Sequence, residues 1–204
     1  MYRKKFPEHN VDIDEADKYV HTINISYDPM DEEGFSDYEK EKMDEIYHLS
    51  HENPQEALPL LFDLTDSFPQ NKVLANYLQV CLSRCSRKDE AHELIEKSYK
   101  DFPDYLIGRL NYATLLLERG QYDEAKEIMH GPSMLSDFIS GRKTHFTEAM
   151  SFYFFWCLYY LRTGDITKAE FNYRVVWCID PENDRTATLR HMLSKAKTEA
   201  IGIQ

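Results

Sequence analysis

The stretch Leu115 to Met129, LLLERGQYDEAKEIM, decides the fold, because it can be laid over other parts of the chain at a fixed spacing. Its Ala125 has counterparts 34 residues earlier, at Ala91, and 34 before that, at Ala57. Another, Ala169 in YYLRTGDITKAEF (Tyr159 to Phe171), lies 44 residues on, one period plus ten inserted residues. A proline follows twelve residues after Ala57, Ala91 and Ala169, at Pro69, Pro103 and Pro181, and the copy after Ala125 is broken. A period of this length is the mark of stacked supersecondary units rather than of one irregular bundle. Each unit reads as a helical hairpin. Gly120 and Gly164 stand where the first helix must end in a left-handed residue, and the alanines stand where two backbones can approach closely only if the side chain is small.

This pattern resembles the tetratricopeptide repeat (TPR), in an acidic form similar to bacterial-type members of that superfamily. The resemblance implies an all-α, right-handed solenoid of about four helix pairs closed by a C-terminal capping helix. In this register the repeats span 38–71, 72–105, 106–149 with the insertion, and 150–183, leaving an acidic, partly irregular arm at 1–37 and a cap and tail at 184–204. The chain departs from the family where an aromatic usually opens the first helix: Ala75 and Arg109 stand there in repeats two and three, and Tyr153 in repeat four.

Local chemistry marks the helix starts. Asn53-Pro54-Gln55-Glu56 combines an N-cap, a proline at the first helical position and a glutamate three residues on, and Asp180-Pro181 repeats the cap and proline. Pro59, in the second turn of that first helix, should bend it, since proline removes a hydrogen bond. From Glu182 to Ala200, Leu189, Met192 and Leu193 alternate with Arg185, Arg190, Lys195 and Lys197, as expected of an amphipathic helix that caps a solenoid. The insertion His130 to His145 predicts a short helix at SMLSDFIS within a loop. In the arm, VHTINISYD (Val20 to Asp28) reads as strand-like or as loose chain, and strand is expected nowhere else.

Composition narrows the function. The net charge is -12, and residues 1 to 60 hold 16 acidic against 6 basic side chains. With no basic stripe, the chain lacks the counterion-release contribution that dominates nucleic-acid affinity and would be repelled by anionic lipid. Neither nucleic acid nor membrane is expected as a partner. Four cysteines, at 81, 85, 157 and 178, lie in apolar helical patterns without paired CxxC spacing and read as buried thiols of a reducing, cytoplasmic compartment. The most apolar stretch, Ala149 to Leu161, is too short to span a bilayer.

Catalytic signatures are scarce: there is no GxSxG, phosphate-binding glycine loop or HExxH. His48 and His51, with Glu45 and Glu52, have helical metal spacing, but without further converging ligands they read as solvated polar residues. Cys81 and Cys85, one turn apart, read as packing, as does the aromatic run SFYFFWCLYY (Ser151 to Tyr160). No catalytic residue, metal site or cofactor is expected.

In the TPR family the first helix of each repeat lines a ligand groove, and the resemblance carries that groove here to Val73, Asn76, Val80 and Arg84, to Ile107, Leu110, Thr114 and Leu117, and to Ser151, Phe154, Leu158 and Arg162. The set is apolar in its second half, as a binding surface for an apolar segment would be. The carboxylate clamp of chaperone-tail adaptors is not matched. Its positions fall on Lys42, Ile46, Tyr77, Ile107 and Asn111 in one alignment and on Asn76, Val80, Asn111, Ser151 and Phe155 in the other. The resemblance thus implies a noncatalytic module binding a protein or peptide. The alternatives are a small acidic secretion-type TPR chaperone, a self-associating protein, and an enzyme or metal-binding protein on the same scaffold. The unassigned arm could also dock in the groove, because Val20, Ile23, Ile25 and Tyr27 need cover.

Overall fold

Ala57, Ala91, Ala125 and Ala169 are all completely buried, each at 0 % exposure. In the computed structural model, which describes residues 13–26, 37–131, 134–139 and 142–202, each lies in the second helix of a pair. The helices in order are α1 (Ile13–Thr22), α2 (Asp37–Glu52), α3 (Pro54–Ser67), α4 (Lys72–Arg84), α5 (Lys88–Asp101), α6 (Leu106–Glu118), α7 (Tyr122–Ile128), α8 (Phe146–Thr163), α9 (Ile166–Ile179) and α10 (Asp184–Gly202). Two-residue strands, β1 (Ile25–Ser26) and β2 (Thr144–His145), and a 3-10 turn at Leu135–Asp137 complete the described elements. The first helices α2, α4, α6 and α8 pack on one another in series, and α8 on α10, while the second helices α3, α5, α7 and α9 touch each other little. Closer spacing on one side means curvature, so the first helices form the inner, concave layer of an all-α, TPR-like solenoid.

Three of the four turns between paired helices share one device. Gly120 (φ 76°) and Gly164 (φ 84°) are left-handed, and Ser86 (φ 61°) takes the same conformation one repeat earlier. At each, the following amide donates back across the turn, Arg87 N to Leu82 O, Gln121 N to Leu116 O and Asp165 N to Tyr160 O, all at 2.9 Å, satisfying carbonyls the helix end would leave free.

Three local expectations need correction. Asn53 precedes α3, with Pro54 at its first turn, but its side chain makes no cap bond; its backbone carbonyl instead accepts from Glu56 and Ala57 N–H. The Asp180-Pro181 signal does not open a helix: Asp180 closes α9, Thr186 Oγ1 donates to its carbonyl, and α10 begins after Asn183, whose Oδ1 accepts from Arg185 N–H at 3.1 Å. Pro59 lies inside α3 on an exposed face, where the Gln55 carbonyl can turn to water, and the helix runs on past it to Ser67. Strand is not confined to the N-terminal arm: β1 pairs in parallel with β2, Ile25 opposite Thr144 and Ser26 opposite His145. The arm also contains α1, whose Ala16, Tyr19 and Val20 pack against α9 and α8.

The insertion is where the period breaks. α7 stops after seven residues, half the length of α3, α5 or α9, at left-handed His130 (φ 56°) and Gly131 (φ 76°). The chain then returns to the core through Leu135 and Ile139, and Phe138 lies between the Phe152 ring and the Arg109 guanidinium. It enters α8 through a capping box: Glu148, only 3 % exposed, accepts from His145 N–H at 3.0 Å and from both Arg142 nitrogens at 2.7 and 2.8 Å. α8 is the most buried helix of this half, with Phe152 and Phe155 fully enclosed. Each such ring contributes about 2 to 3 kcal/mol by its burial alone.

Candidate functional site

The concave face is set by α4, α6, α8 and the start of α10. A polar chain holds its middle together: Asn111 Nδ2 donates to Asn76 Oδ1 at 3.0 Å and to Gln79 Oε1 at 2.9 Å, and Gln79 Nε2 reaches through the interior to Ser98 Oγ on α5 at 2.8 Å. Gln79 and Ser98 are buried, so the network ties α4, α5 and α6 into one register. At the far end, Arg185 of α10 reaches back over the groove. Its Nη1 donates to Ser151 Oγ at 2.7 Å and its guanidinium lies 5.6 Å from the centre of the Phe154 ring. The protein mass around it pulls the Arg185 guanidinium down from its ordinary range, partly offset by the Tyr47 hydroxyl of α2, yet the residue is exposed. Both observations fit a charge held inside an open channel. Among the described residues Arg185 makes no ion pair. The Tyr105 hydroxyl is buried without a hydrogen-bond partner among them, and burial, with Glu148 and Tyr77 nearby, drives its ionisation to higher pH.

The expected groove residues divide. Asn76, Val80, Arg84, Thr114, Phe154, Leu158 and Arg162 are at least partly accessible. Ser151 is buried beneath Arg185. Val73, Ile107, Leu110 and Leu117 are core, Leu110 at 1 % exposure, and are not available to a ligand as placed. The reason is lateral packing: α6 has α4 and α5 on one side, α8 on the other and α7 behind it, so only a narrow strip including Asn111 and Thr114 stays open. Arg185 was missed by sequence reasoning, because the family's groove is counted on first helices of repeats and α10 lies beyond them. Its position three residues after the Glu182 start of the amphipathic stretch was the available signal.

The N-terminal arm does not fill this groove in the described residues. α1 lies against α9, with Tyr19 Oη 2.9 Å from Tyr153 Oη and its ring 5.7 Å from that of Phe171. Between α1 and the shortened α7 a second concavity remains over α8 and α9. Its main lobe is about 440 Å³ and an adjoining lobe reaching Lys126 about 300 Å³; Trp156, Tyr160 and Lys168 line both.

The cysteines are unpaired thiols. Cys81 donates to Pro54 O at 2.9 Å and Cys157 to Ala169 O at 3.2 Å, and burial pushes their ionisation up to about 11 and about 12. Thiols held this far toward the neutral form are poor nucleophiles at neutral pH. Among the described residues no three His, Cys, Asp or Glu side chains converge for a metal ion, while the His51 side chain lies outside those described. Also among them, no helix is long and apolar enough to cross a membrane.

Comparison with known proteins agrees with this architecture. No curated protein and no solved structure gives a significant match. The tetratricopeptide repeat family model matches residues 86–133, the segment from the left-handed Ser86 through α5, α6 and α7 into the insertion. Repeats of this family are typically noncatalytic protein-interaction scaffolds. That match falls on the stretch that shows the 34-residue period, with buried alanines and left-handed turns recurring at the same spacing, and it supports a tetratricopeptide-repeat architecture for the chain.

Proposed function

We propose that the chain is a noncatalytic interaction module that binds a polypeptide segment along its concave face. The observation that carries this reading is the accessible strip running from Asn76 and Val80 past Thr114 to Phe154 and Leu158, ending on the exposed guanidinium of Arg185. Such a strip fits an extended or helical segment that places apolar side chains over Phe154 and Leu158 and an acidic group at Arg185, where a charge-assisted hydrogen bond would form in a protein-walled channel. The Asn76-Asn111-Gln79-Ser98 chain, anchored on buried Gln79 and Ser98, supports the reading, because it holds the strip rigid before a partner arrives and so limits the entropy lost on binding.

The test is affinity purification from the native cell with the wild-type chain and two variants, each checked for an unchanged helical signal by circular dichroism. Val80→Lys with Arg185→Glu alters the concave strip at sites that are at least partly accessible, and Lys97→Glu alters the outer face of α5. The expected result is that a polypeptide held by the wild type is lost from the first variant and kept by the second. Retention by a folded concave variant, with loss from the α5 variant, would move the binding surface to the convex side.

A further inference from the structure

The face of α8 that carries Ser151 and Phe154, the two residues Arg185 touches, continues at helical spacing through Leu158 to Arg162. From Ser151 to Arg162 the helix rises about 16 Å. A guanidinium stands at each end of this length. Arg185 covers the first end, on Ser151 Oγ and against the Phe154 ring, and Arg162 occupies the second, in the last turn of α8. Between them lie two apolar side chains, Phe154 and Leu158, both partly accessible.

These two arginines stand apart in a chain with 36 acidic and 24 basic residues. Arg87, Arg119, Arg142 and Arg174 each lie within 2.8 Å of a carboxylate, those of Glu90, Glu96, Glu148 and Glu170. Among the described residues neither Arg162 nor Arg185 makes an ion pair. Glu118, which holds on α6 the place that Arg162 holds on α8, lies instead 4.0 Å from His92 of α5. A guanidinium held against a ring and a hydroxyl, as Arg185 is, has given up part of its hydration, and a carboxylate on a partner would restore what it lost.

A partner helix lying beside α8 has the same rise per residue, so its residues i, i+4, i+7 and i+11 meet all four points from one face, whichever way it runs. An extended chain covers that length in about five residues, of which alternate side chains point away, and so offers three contacts at most. On the reading that the concave strip binds a polypeptide, we propose that its occupant is an acidic amphipathic helix laid along α8. Carboxylates at i and i+11 accept from Arg185 and Arg162, and apolar side chains at i+4 and i+7 cover Phe154 and Leu158.

The probe is an acetylated, amidated helical peptide built on alanine and glutamine, with glutamates at its third and fourteenth positions and leucines at its seventh and tenth, titrated by calorimetry into the full chain. Arg185→Gln is expected to weaken its binding about tenfold, as for one charge-assisted hydrogen bond, and Arg162→Gln, at an exposed site, about threefold. The wild type should accordingly prefer this peptide about thirtyfold over one with glutamines in place of both glutamates, and the double variant should bind the two alike. Moving the second glutamate two positions on carries it about 200° round the helix and should cost the same threefold, and a proline at the peptide's centre should abolish binding. Each variant is checked for an unchanged helical signal, and Arg162→Gln tests the site even if Arg185→Gln loosens α10. No binding of the acidic peptide, equal binding of the glutamine peptide by the wild type, undiminished binding by Arg162→Gln, or tolerance of the central proline would each overturn the proposal. So would a wild-type dimer that the double variant dissociates, which would assign the strip to a second copy of the chain. The role of the strip itself is tested separately by Val80→Lys with Arg185→Glu, so loss of a native partner there beside a failure here would strike the acidic helix alone.

Discussion

Ser86 and Gly120 occupy equivalent turns one repeat apart, and exchanging their chemistry isolates the energetic cost of the repeat's left-handed residue. Ser86 holds φ 61° with an L side chain. That conformation costs roughly 1 to 2 kcal/mol for a residue with a Cβ, whereas glycine adopts it freely but loses about 0.5 to 1 kcal/mol more backbone entropy on folding. Ser86→Gly should therefore stabilise the chain by about 0.5 to 1 kcal/mol. For a protein of this size that corresponds to a rise in Tm of about 1 to 4 °C. The converse is Gly120→Ala. A Cβ built on Gly120 meets nothing within 4 Å, so steric clash contributes nothing and the loss, about 1 kcal/mol, is backbone strain alone. Thermal and urea melts followed by circular dichroism measure both, and hydrogen exchange at the amides of Arg87 and Gln121 reports each turn by itself. A destabilised Ser86→Gly, or a neutral Gly120→Ala, would refute the claim that left-handed strain at this turn is what the repeat's glycine relieves.

Arg142→Ala removes both side-chain donors from buried Glu148 and leaves its carboxylate, among the described residues, the His145 amide; the expected cost is about 1 to 3 kcal/mol in urea melts, with early loss of amide protection at Thr144 where β1 and β2 pair. Glu170 is raised by partial burial but lowered more by the hydrogen bonds from Lys197 and Arg174, so its folded value lies below its unfolded one. Its contribution is thus present above the unfolded carboxylate range near pH 4 to 5 and lost as pH falls through the lower, folded value. Glu170→Gln should accordingly lower stability by about 1 kcal/mol at pH 7 and change it little at pH 3, as followed by melts of the full chain across that range.

The repeat was legible in the sequence because its determinants are local: a small residue at each helix crossing, a glycine at the third and fourth turns, and a 34-residue period, lengthened once by the insertion. Burial of Ala57, Ala91, Ala125 and Ala169 follows directly from that spacing. The short helix in the insertion was equally readable, from the Leu135 to Ile139 segment between glycine and proline breaks. Helix α1 was less so. Its Ala16, Tyr19 and Val20 share one face, but a ten-residue amphipathic segment is marginal alone, and only docking on α9 gives it a reason to form.

Nonlocal packing decided the sites. Leu110 and Phe154 fall on the same groove position in the sequence register, yet one is core and the other accessible, because α8 packs closely beside α6 after the insertion. Arg185 enters the concave face from beyond the last repeat, and the second concavity needs residues from positions 15 to 174 to meet where α7 stops short. A sequence period specifies what each unit does with its own neighbours in the chain. Which faces remain open is set by how separated units stack, since the same apolar side chain is core or surface according to the helix that arrives beside it.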